Sequence, residues 1–341
     1  MDGRVSEPES IVLYIAGDGR SGSTLLATIL GNHEGFFPVG EIRAVWQALQ
    51  RDELCGCGEP FSNCEFWRRV GEHAFGGWKQ VDVDAMLAAD RRFARHRSVP
   101  RLVALASRSA AANAELRELC RALELLYAAV REVSGCSVIV DTTKDPSYAF
   151  LLRRVPGLRL RYIHLVRDSR GVAYSWSKSE IELPEFARHP TMRFMPRLSS
   201  WVAALQWDVK NAAIHVLTPS AGRRRVRYES FVAAPARELT RILDLTDQAR
   251  RGHEAVEPRH EFESLPFHSV EGNPMRFKRG PINLHLDDKW RREMRRSDRL
   301  VVTALTWPML IAYGYAGKRM KTARSARSAK IREVPTGVVP R

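Results

Sequence analysis

The chain of 341 residues lacks any run of about 18 uncharged apolar residues, the length that a membrane-spanning helix requires. Its first ten residues, MDGRVSEPES, are polar and do not contain the apolar core of a secretory signal peptide. From these two absences we expect a cytoplasmic protein without a transmembrane segment. The sequence also lacks an internal repeat with a period of about 20–50 residues, which argues against solenoid and propeller architectures.

Cysteine is scarce, with five residues in the chain, and an odd number in a reducing compartment argues against a disulfide framework. Cys55, Cys57 and Cys64 fall within ten residues, and His73 follows nine residues later. Three thiolates and one imidazole can bind zinc, but the spacing C-x-C-x6-C is not a standard zinc pattern. We therefore predict that no metal is bound. The alternatives are a zinc site and, without metal, a compact turn of buried thiols or a pair of cysteines.

Acidic residues are fewer than basic ones: the chain has 39 Asp and Glu against 54 Lys and Arg, which gives a formal net charge of +15. Such a balance suits an acidic small molecule, nucleic acid or an anionic membrane surface. Residues 318–341 carry eight of the cations and one Glu, and we expect them to form a disordered tail. The net charge therefore overstates the basicity of the folded body, and contact of the tail with membranes is expected to be weak at most.

The most informative stretch is residues 11–41. Ile11 to Ala16 form a short run of β-branched and aromatic residues, which predicts a buried strand. A glycine-rich turn, GDGRSGST, follows, and apolar residues then recur at helical spacing as far as Leu30. A strand, a glycine turn and a helix together present backbone N–H groups and a helix N-terminus to a phosphate.

This turn departs from the nucleotide-binding P-loop at one position. Gly17 and Gly22 have the P-loop spacing, but Ser23 stands where the lysine of G-x-x-x-x-G-K-(S/T) belongs. Without that lysine the loop is a poor site for the γ-phosphate of ATP. The positive charge lies instead at Arg20, whose planar guanidinium suits a phosphate or a transferring group. The alternative is a tight turn with an exposed arginine.

Further strands are predicted at 137–141, 160–166 and 223–229, and the stretch 80–133 has helical periodicity. Cationic residues follow two of these strands directly, at the carboxyl ends where open α/β sheets bind ligands. The fold class predicted is α/β, with three layers of the P-loop type: a central parallel sheet, flanking helices and a helical insertion at about 80–133. We predict a flexible N-terminus at 1–10 and a single domain at 11–317.

Three of these segments resemble signatures of the sulfotransferase superfamily, the enzymes that use 3′-phosphoadenosine 5′-phosphosulfate (PAPS). The turn GRSGSTLL at 19–26 resembles the family's 5′-phosphosulfate loop. The segment RDSRGVAYS at 167–175 resembles its 3′-phosphate segment, in which an arginine and a serine are also eight residues apart. The segment RYESF at 227–231 resembles the segment that contributes to the adenosine pocket. Three signatures in order at compatible spacing are a far stronger signal than one.

Two shorter matches, together with Arg20, point to the Golgi-type branch, which includes carbohydrate and tyrosylprotein sulfotransferases. The sequence GEIR at 40–43 is similar to the G-E-x-R segment of tyrosylprotein sulfotransferases, and this resemblance implies that Glu41 is the catalytic base. The sequence KDP at 144–146 is similar to their K-D-P segment, which implies that Lys144 stabilises the transferring sulfuryl group. Arg20 is the third catalytic residue implied.

The resemblance also implies a set of donor-binding residues and no catalytic metal. Arg167 and Ser175 would hold the 3′-phosphate, and Tyr228 would contribute to the adenosine pocket. The loop and a later basic segment would supply the remaining contacts, through Gly19, Arg20, Ser21, Gly22, Ser23, Thr24, Leu25, Arg276, Lys278 and Arg279. PAPS would be the sulfuryl donor and adenosine 3′,5′-bisphosphate the product.

Several alternatives stay open at this point. Asp141, His33, His164 and His268 are the other residues that could act as the base. A P-loop kinase is disfavoured by the missing lysine. A nucleic-acid-binding protein is disfavoured because no zinc-finger or RNA-binding signature is present, so we expect no nucleic-acid partner. The acceptor is expected to be a hydroxyl of a glycan, a lipid or a small metabolite, and the oligomeric state is not indicated.

Overall fold

The computed structural model of the chain describes residues 10–95, 98–100, 102, 113–178, 196–246 and 261–315. Of the N-terminus predicted to be flexible at 1–10, residues 1–9 lie outside these ranges, as does the predicted tail at 318–341, whereas Ser10 is the buried first residue of a strand. The boundaries proposed for the single domain therefore stay a prediction.

The core of the fold is a five-stranded sheet in which every pairing is parallel. Its strand order is β2-β3-β1-β4-β5, so the first strand of the chain lies at the centre. This arrangement confirms the predicted α/β class with a central parallel sheet. The strands are β1 (Ser10–Gly17), β2 (Phe36–Gly40), β3 (Val138–Lys144), β4 (Leu158–Val166) and β5 (Arg223–Arg227).

Helices cover both faces of the sheet, as a fully parallel sheet requires. They are α1 (Ser23–Leu30), α2 (Val45–Arg51), α3 (Glu65–Phe75), α4 (Val83–Phe93), α5 (Ala114–Ser134), α6 (Pro146–Leu152), α7 (Ser169–Ser177), α8 (Ser200–Leu217), α9 (Tyr228–Ala233), α10 (Pro235–Leu245), α11 (Trp290–Glu293) and α12 (Arg296–Ala312).

Alternate residues of β1 belong to two different apolar cores, which shows the three layers directly. Val12 and Tyr14 pack with α2 to α6 on one face. Leu13 and Ile15 pack with α1, α9 and α10 on the other face. Successive side chains of a strand point to opposite faces, so a continuous apolar run is what a strand buried on both sides requires.

The predicted helical insertion is present as α4 and α5 within the described part of 80–133. Asn113 caps α5 by accepting a hydrogen bond from the N–H of Leu116, and Gly135 ends the helix in the left-handed conformation. The apolar positions that predicted the helix are buried: Leu116, Leu119, Leu123, Leu126 and Val130. Among the described residues, no helix combines the length and the apolar character needed to cross a membrane.

A second, antiparallel pair of strands, β6 (Glu261–Ser264) and β7 (Gly280–Asn283), flanks the segment 265–279, which we call the strap. The strap reaches back to the edge strand of the main sheet. The N–H of Val270 donates to the carbonyl of Val39 at 3.0 Å, and the N–H of Glu41 donates to the carbonyl of Val270 at 2.8 Å. The strap thus lies directly beside the carboxyl end of β2.

Candidate active site

The turn between β1 and α1 has the geometry of an anion-binding loop. Gly22 precedes α1 with φ at +92°, a conformation that side-chain-bearing residues rarely adopt. A Cβ at this position would also lie 2.8 Å from the ring of Tyr228. Both the backbone conformation and the lack of space therefore require glycine. No side chain caps α1, and its first N–H groups have no partner within the helix. These groups and the helix dipole favour a bound anion here.

Arg20 is held at this turn by an aromatic ring. Its guanidinium lies 4.8 Å from the centre of the Trp176 indole, an attractive cation–π arrangement. The side chain is half-buried, and burial lowers the pKa of Arg20 from its ordinary value. An arginine nevertheless stays protonated, so a fixed positive charge faces the cleft. Arg20 is therefore not the exposed residue of a simple tight turn.

Arg167, at the end of β4, contacts the loop from the other side. Its Nη1 donates to the carbonyl oxygen of Arg20 at 3.1 Å, and its Nη2 donates to the Asp287 carboxylate at 3.0 Å. The guanidinium also stacks 4.7 Å from the centre of the Tyr228 ring. The structure thus brings together Arg20, Arg167 and Tyr228, which the sequence placed in three separate signatures.

The Y-E part of the third signature supports the turn that carries Arg167. The Oε1 atom of Glu229 accepts a hydrogen bond from the N–H of Asp168 at 3.0 Å. Asp168 in turn caps α7 by accepting from the N–H of Arg170 at 3.0 Å. Helix α7 carries Ser175, which lines the same cleft as Arg167. Glu229 is therefore a positioning residue for the turn.

At the carboxyl ends of β2 and β3, on the opposite side of β1 from the strand that leads to Arg167, Glu41 and Lys144 form an ion pair. Both lie at a strand end where the backbone adopts a positive φ. Glu41 follows Gly40, whose φ is +76°, and Lys144 itself has φ at +68°. The Lys144 Nζ also donates to the carbonyl of Thr142 at 3.0 Å, which fixes the ammonium beside the carboxylate. The two residues that the resemblance singled out are thus in direct contact, although 103 positions separate them in the chain.

Arg43 joins this end of the cleft to the helical insertion. Its guanidinium makes two hydrogen bonds of 2.9 Å to Asp90 of α4 and one of 2.8 Å to Asp145 of the K-D-P segment. The carboxylates hold the pKa of Arg43 above its ordinary value, although burial opposes them. Asp145 also caps α6 by accepting from the N–H of Ser147. Arg43 therefore links the segment that carries Glu41 to the segment that carries Lys144.

These groups line one cleft of about 990 Å³. Nine Lys or Arg and five Asp or Glu lie on its walls, so the cleft has a positive balance that suits a multiply charged anion. Of the seven predicted loop residues, Ser21 is buried, whereas the other six line the cleft. The walls also include Glu41, Lys144, Arg167, Ser175 and Tyr228.

The three cations predicted from the strap are not among the residues that line this cleft. Arg276 donates to the carbonyls of Ser269, Glu271 and Leu54, at 2.9–3.1 Å. Arg279 donates to the carbonyl of Gly56, and the carbonyl of Lys278 accepts from the hydroxyl of Ser264. In this structure the two arginines hold the strap to its neighbours, and contact of any of the three with a phosphate stays a prediction.

The other residues considered as a base lie away from the Glu41 carboxylate or have other partners. His164 is buried in β4 against Asn211 at 2.7 Å, and burial lowers its pKa to about 3. Asp141 accepts hydrogen bonds from Tyr127 and Thr143, and burial raises its pKa to about 6. His33 follows the C-terminal end of α1, the end opposite the loop. His268 lies among the thiols of Cys55 and Cys64.

Sequence reasoning missed four residues that shape the cleft. Trp176 directly follows Ser175, the serine of the second signature. The sequence therefore already placed this aromatic residue beside the predicted phosphate-binding segment. Lys210 comes from α8, where its Nζ lies 3.1 Å from the buried Asp18 of the loop. Asp90 and Asp287 carry no local signal, because each reaches its arginine from a distant part of the chain.

The fold and the site define an α/β protein with an anion-binding loop after its first strand. The chain belongs to the sulfotransferase family, whose sequence model matches residues 13–249. It is accordingly a sulfotransferase enzyme. No curated protein matches the chain in sequence. The family match does not separate branches, so the resemblance to the Golgi-type branch stays a prediction.

Several solved structures are similar to this chain, and three of them are sulfotransferases or sulfotransferase domains. One is the sulfotransferase domain from the Synechococcus PCC 7002 olefin synthase, with TM-score 0.43 and 18% identity over 89% of this chain and 95% of that one. A second is the sulfotransferase domain from the curacin biosynthetic pathway, with TM-score 0.42 and 18% identity over 88% of this chain and 98% of that one. A third is the sulfotransferase STF9 from Mycobacterium avium, with TM-score 0.41 and 11% identity over 90% of this chain and 77% of that one. Because all three TM-scores are below 0.5, family membership rests on the sequence match.

Proposed function

We propose that this enzyme transfers a sulfuryl group from PAPS to the hydroxyl of a glycan, lipid or small-molecule acceptor. The observation that carries the proposal is the arrangement of the cleft. An anion-binding loop with Arg20 and Arg167 forms one end, and a Glu41–Lys144 pair forms the other. We call these the donor end and the acceptor end.

The chemistry of the donor end fits a nucleotide with phosphates at both ribose positions. The N–H groups that begin α1 and the Arg20 guanidinium would bind the 5′-phosphosulfate. Arg167 and Ser175, at the other wall, would bind the 3′-phosphate. Stacking on Tyr228 holds the Arg167 guanidinium flat, which restricts the directions from which its N–H groups donate. A 3′-phosphate is the group that separates PAPS from ATP.

The acceptor end supplies proton transfer and charge stabilisation. When bound, PAPS provides an activated sulfuryl group with a phosphate as its leaving group. Glu41 would take the proton from the acceptor hydroxyl, while the Lys144 ammonium and the Arg20 guanidinium stabilise negative charge on the surrounding oxygens. The Arg43 contacts to Asp90 and Asp145 hold these groups in place before the substrates arrive. Such pre-organised positioning is a major part of catalysis when the protein forms no covalent bond to the group transferred.

Calorimetric titration of adenosine 3′,5′-bisphosphate into the full chain tests the donor site, with ATP and AMP as controls. We expect tight binding of the bisphosphate alone, and weakened binding in the variants Arg167→Ala and Arg20→Ala. Lys289→Ala, a cation near Asp287 but absent from the walls of the cleft, is the matched control. Equal binding of all three nucleotides, or no binding, would contradict the proposal.

A further inference from the structure

Four potential metal ligands converge where the strap meets the turn between α2 and α3. Cys55, Cys57 and Cys64 lie in that turn and His268 lies in the strap, and their ligand atoms all fall within 4.8 Å of one another. The nearby histidine suggested by the sequence, His73, lies elsewhere, with its Nδ1 3.6 Å from the carboxylate of Glu132. The fourth member of the cluster is thus a residue that comes 204 positions after Cys64.

Four of the six distances among these atoms lie within about 0.4 Å of the edges of a zinc tetrahedron. Zinc bonds of about 2.3 Å to sulfur and about 2.0–2.1 Å to nitrogen place sulfurs about 3.8 Å apart, and sulfur and nitrogen about 3.6 Å apart. In the structure, the Sγ of Cys64 lies 3.6 Å from that of Cys55 and 3.8 Å from that of Cys57. The Nδ1 of His268 lies 3.2 Å from the Sγ of Cys64 and 3.8 Å from that of Cys55.

The surroundings hold the four ligands in this arrangement. The imidazole of His268 stacks on the ring of Phe66, with centroids 4.9 Å apart and planes 12° from parallel, so that Nδ1 faces the sulfurs. The N–H of Gly58 donates to the carbonyl of Cys55 at 2.8 Å, and Gly58 has φ at +104°. This tight turn brings Cys55 and Cys57 to the same side. All three cysteines are free thiols.

We propose that Cys55, Cys57, Cys64 and His268 bind a structural Zn²⁺ ion. Three thiolates and one imidazole complete a tetrahedral set and leave no open position for a substrate, which is typical of structural rather than catalytic zinc. This proposal replaces the prediction, made from spacing alone, that no metal is bound. It is independent of the sulfuryl chemistry, because none of the four ligands lines the cleft.

The ion would fasten the strap beside the acceptor end. Next to His268, the carbonyl of Ser269 accepts from the N–H of Gly56 at 2.8 Å, and Val270 pairs with the residues on both sides of Gly40. Two residues further on, a Cβ at Gly272 would lie 3.6 Å from the Oε1 of Glu41. Zinc would therefore fix the backbone that borders the proposed base, while Arg276 and Arg279 secure the rest of the strap.

The first test is the metal content of the full chain, purified without chelators and measured by inductively coupled plasma mass spectrometry. We expect about one zinc per chain in the wild type. We expect a loss of about tenfold or more in Cys57→Ser, Cys64→Ser and His268→Asn, since each removes one of four ligands. Cys120→Ser and Cys136→Ser alter buried cysteines outside the cluster and are expected to keep the zinc. An unchanged zinc content in the cluster variants would overturn the proposal.

If the cluster variants fail to fold, a second measurement on the wild type still tests the proposal. Reduced, zinc-free wild-type protein is titrated with CoCl₂ and its absorption spectrum is recorded. We expect thiolate-to-cobalt charge transfer and the intense visible bands of tetrahedral Co²⁺ to saturate at one equivalent, and to disappear when zinc is added. A weak octahedral spectrum, or a disulfide among the three cysteines in the intact mass of the unreduced wild type, would overturn the proposal.

Discussion

The two ends of the cleft are built in different ways. At the donor end, most binding groups come from short continuous segments, each of which directly follows a strand. At the acceptor end, the ion pairs join segments that are far apart in the chain: 103 positions separate Lys144 from Glu41, and Arg43 lies 102 positions from Asp145 and 47 from Asp90. A local motif can thus specify the loop proposed to bind the donor, whereas the proposed base and its partners depend on the completed fold.

The most severe expected effect at the acceptor end follows from removing the proposed base. Glu41→Gln keeps the size of the side chain but cannot accept a proton, so kcat is expected to fall by about 10²–10⁴-fold. The affinity for adenosine 3′,5′-bisphosphate, measured by calorimetry, is expected to stay within about threefold of wild type. If both quantities fall together, the two ends of the cleft are not separate in function.

Arg43→Ala tests how strongly the acceptor end depends on its long-range contacts. The change leaves the carboxylates of Asp90 and Asp145 without the guanidinium that pairs with them, and breaking a largely buried pair of this kind costs about 3–5 kcal/mol. Urea unfolding, read by circular dichroism, measures the loss. Arg91→Ala, next to Asp90 on α4, is the matched control, with a change below about 0.5 kcal/mol. A similar loss in both variants would contradict the assignment.

The strand that leads to Lys144 is expected to respond to pH. Burial raises the pKa of Asp141 to about 6, above an ordinary value of 3.8, so the native state retains a proton that the unfolded state releases. The free energy of unfolding should therefore decrease by up to about 3 kcal/mol as the pH rises from about 4 to 6. The difference between wild type and Asp141→Asn across this range isolates the contribution. An equal slope in both proteins would argue against it.

At the donor end, we expect a smaller effect from one side chain. Arg167→Lys retains the charge but loses the planar fork that donates to Arg20 and Asp287 and stacks on Tyr228. Calorimetry should show the affinity for adenosine 3′,5′-bisphosphate falling by about 10-fold, the equivalent of one charge-assisted hydrogen bond. The kcat at saturating donor should change little. A larger loss in kcat than in affinity would place Arg167 in the chemical step.

Much of the donor end could be predicted from the sequence because its signals are local. The glycine spacing, the arginine after β4 and the serine eight residues later each act within one strand–turn–helix unit. The roles of Glu41 and Lys144 were predicted from the family resemblance alone, since no local pattern relates the two positions. Arg276 and Arg279 show the opposite case: a basic loop has the same composition whether its guanidiniums bind phosphate or, as in this strap, backbone carbonyls.

The cysteine turn shows why proximity in sequence is a poor guide to a ligand set. His73 was the nearest histidine, but it follows the turn on α3, whose register points it towards Glu132 of α5. His268 comes from the strap, and its position depends on the pairing of Val270 with the sheet edge. Only the tertiary fold brings it to the thiols.

The contact between Cys64 and His268 also sets an order of events during synthesis. At about 5–20 residues per second, a ribosome needs roughly 10–40 s to make the 204 residues that separate them. Once β3 and β4 have been made, partway through that interval, the nascent chain can hold its central strands, while its three thiols still lack His268 and Glu41 still lacks the strap. The growing enzyme therefore passes through a stage in which the loop after β1 already has its flanking strands but the acceptor end is unfinished, until the strap at 265–279 has emerged.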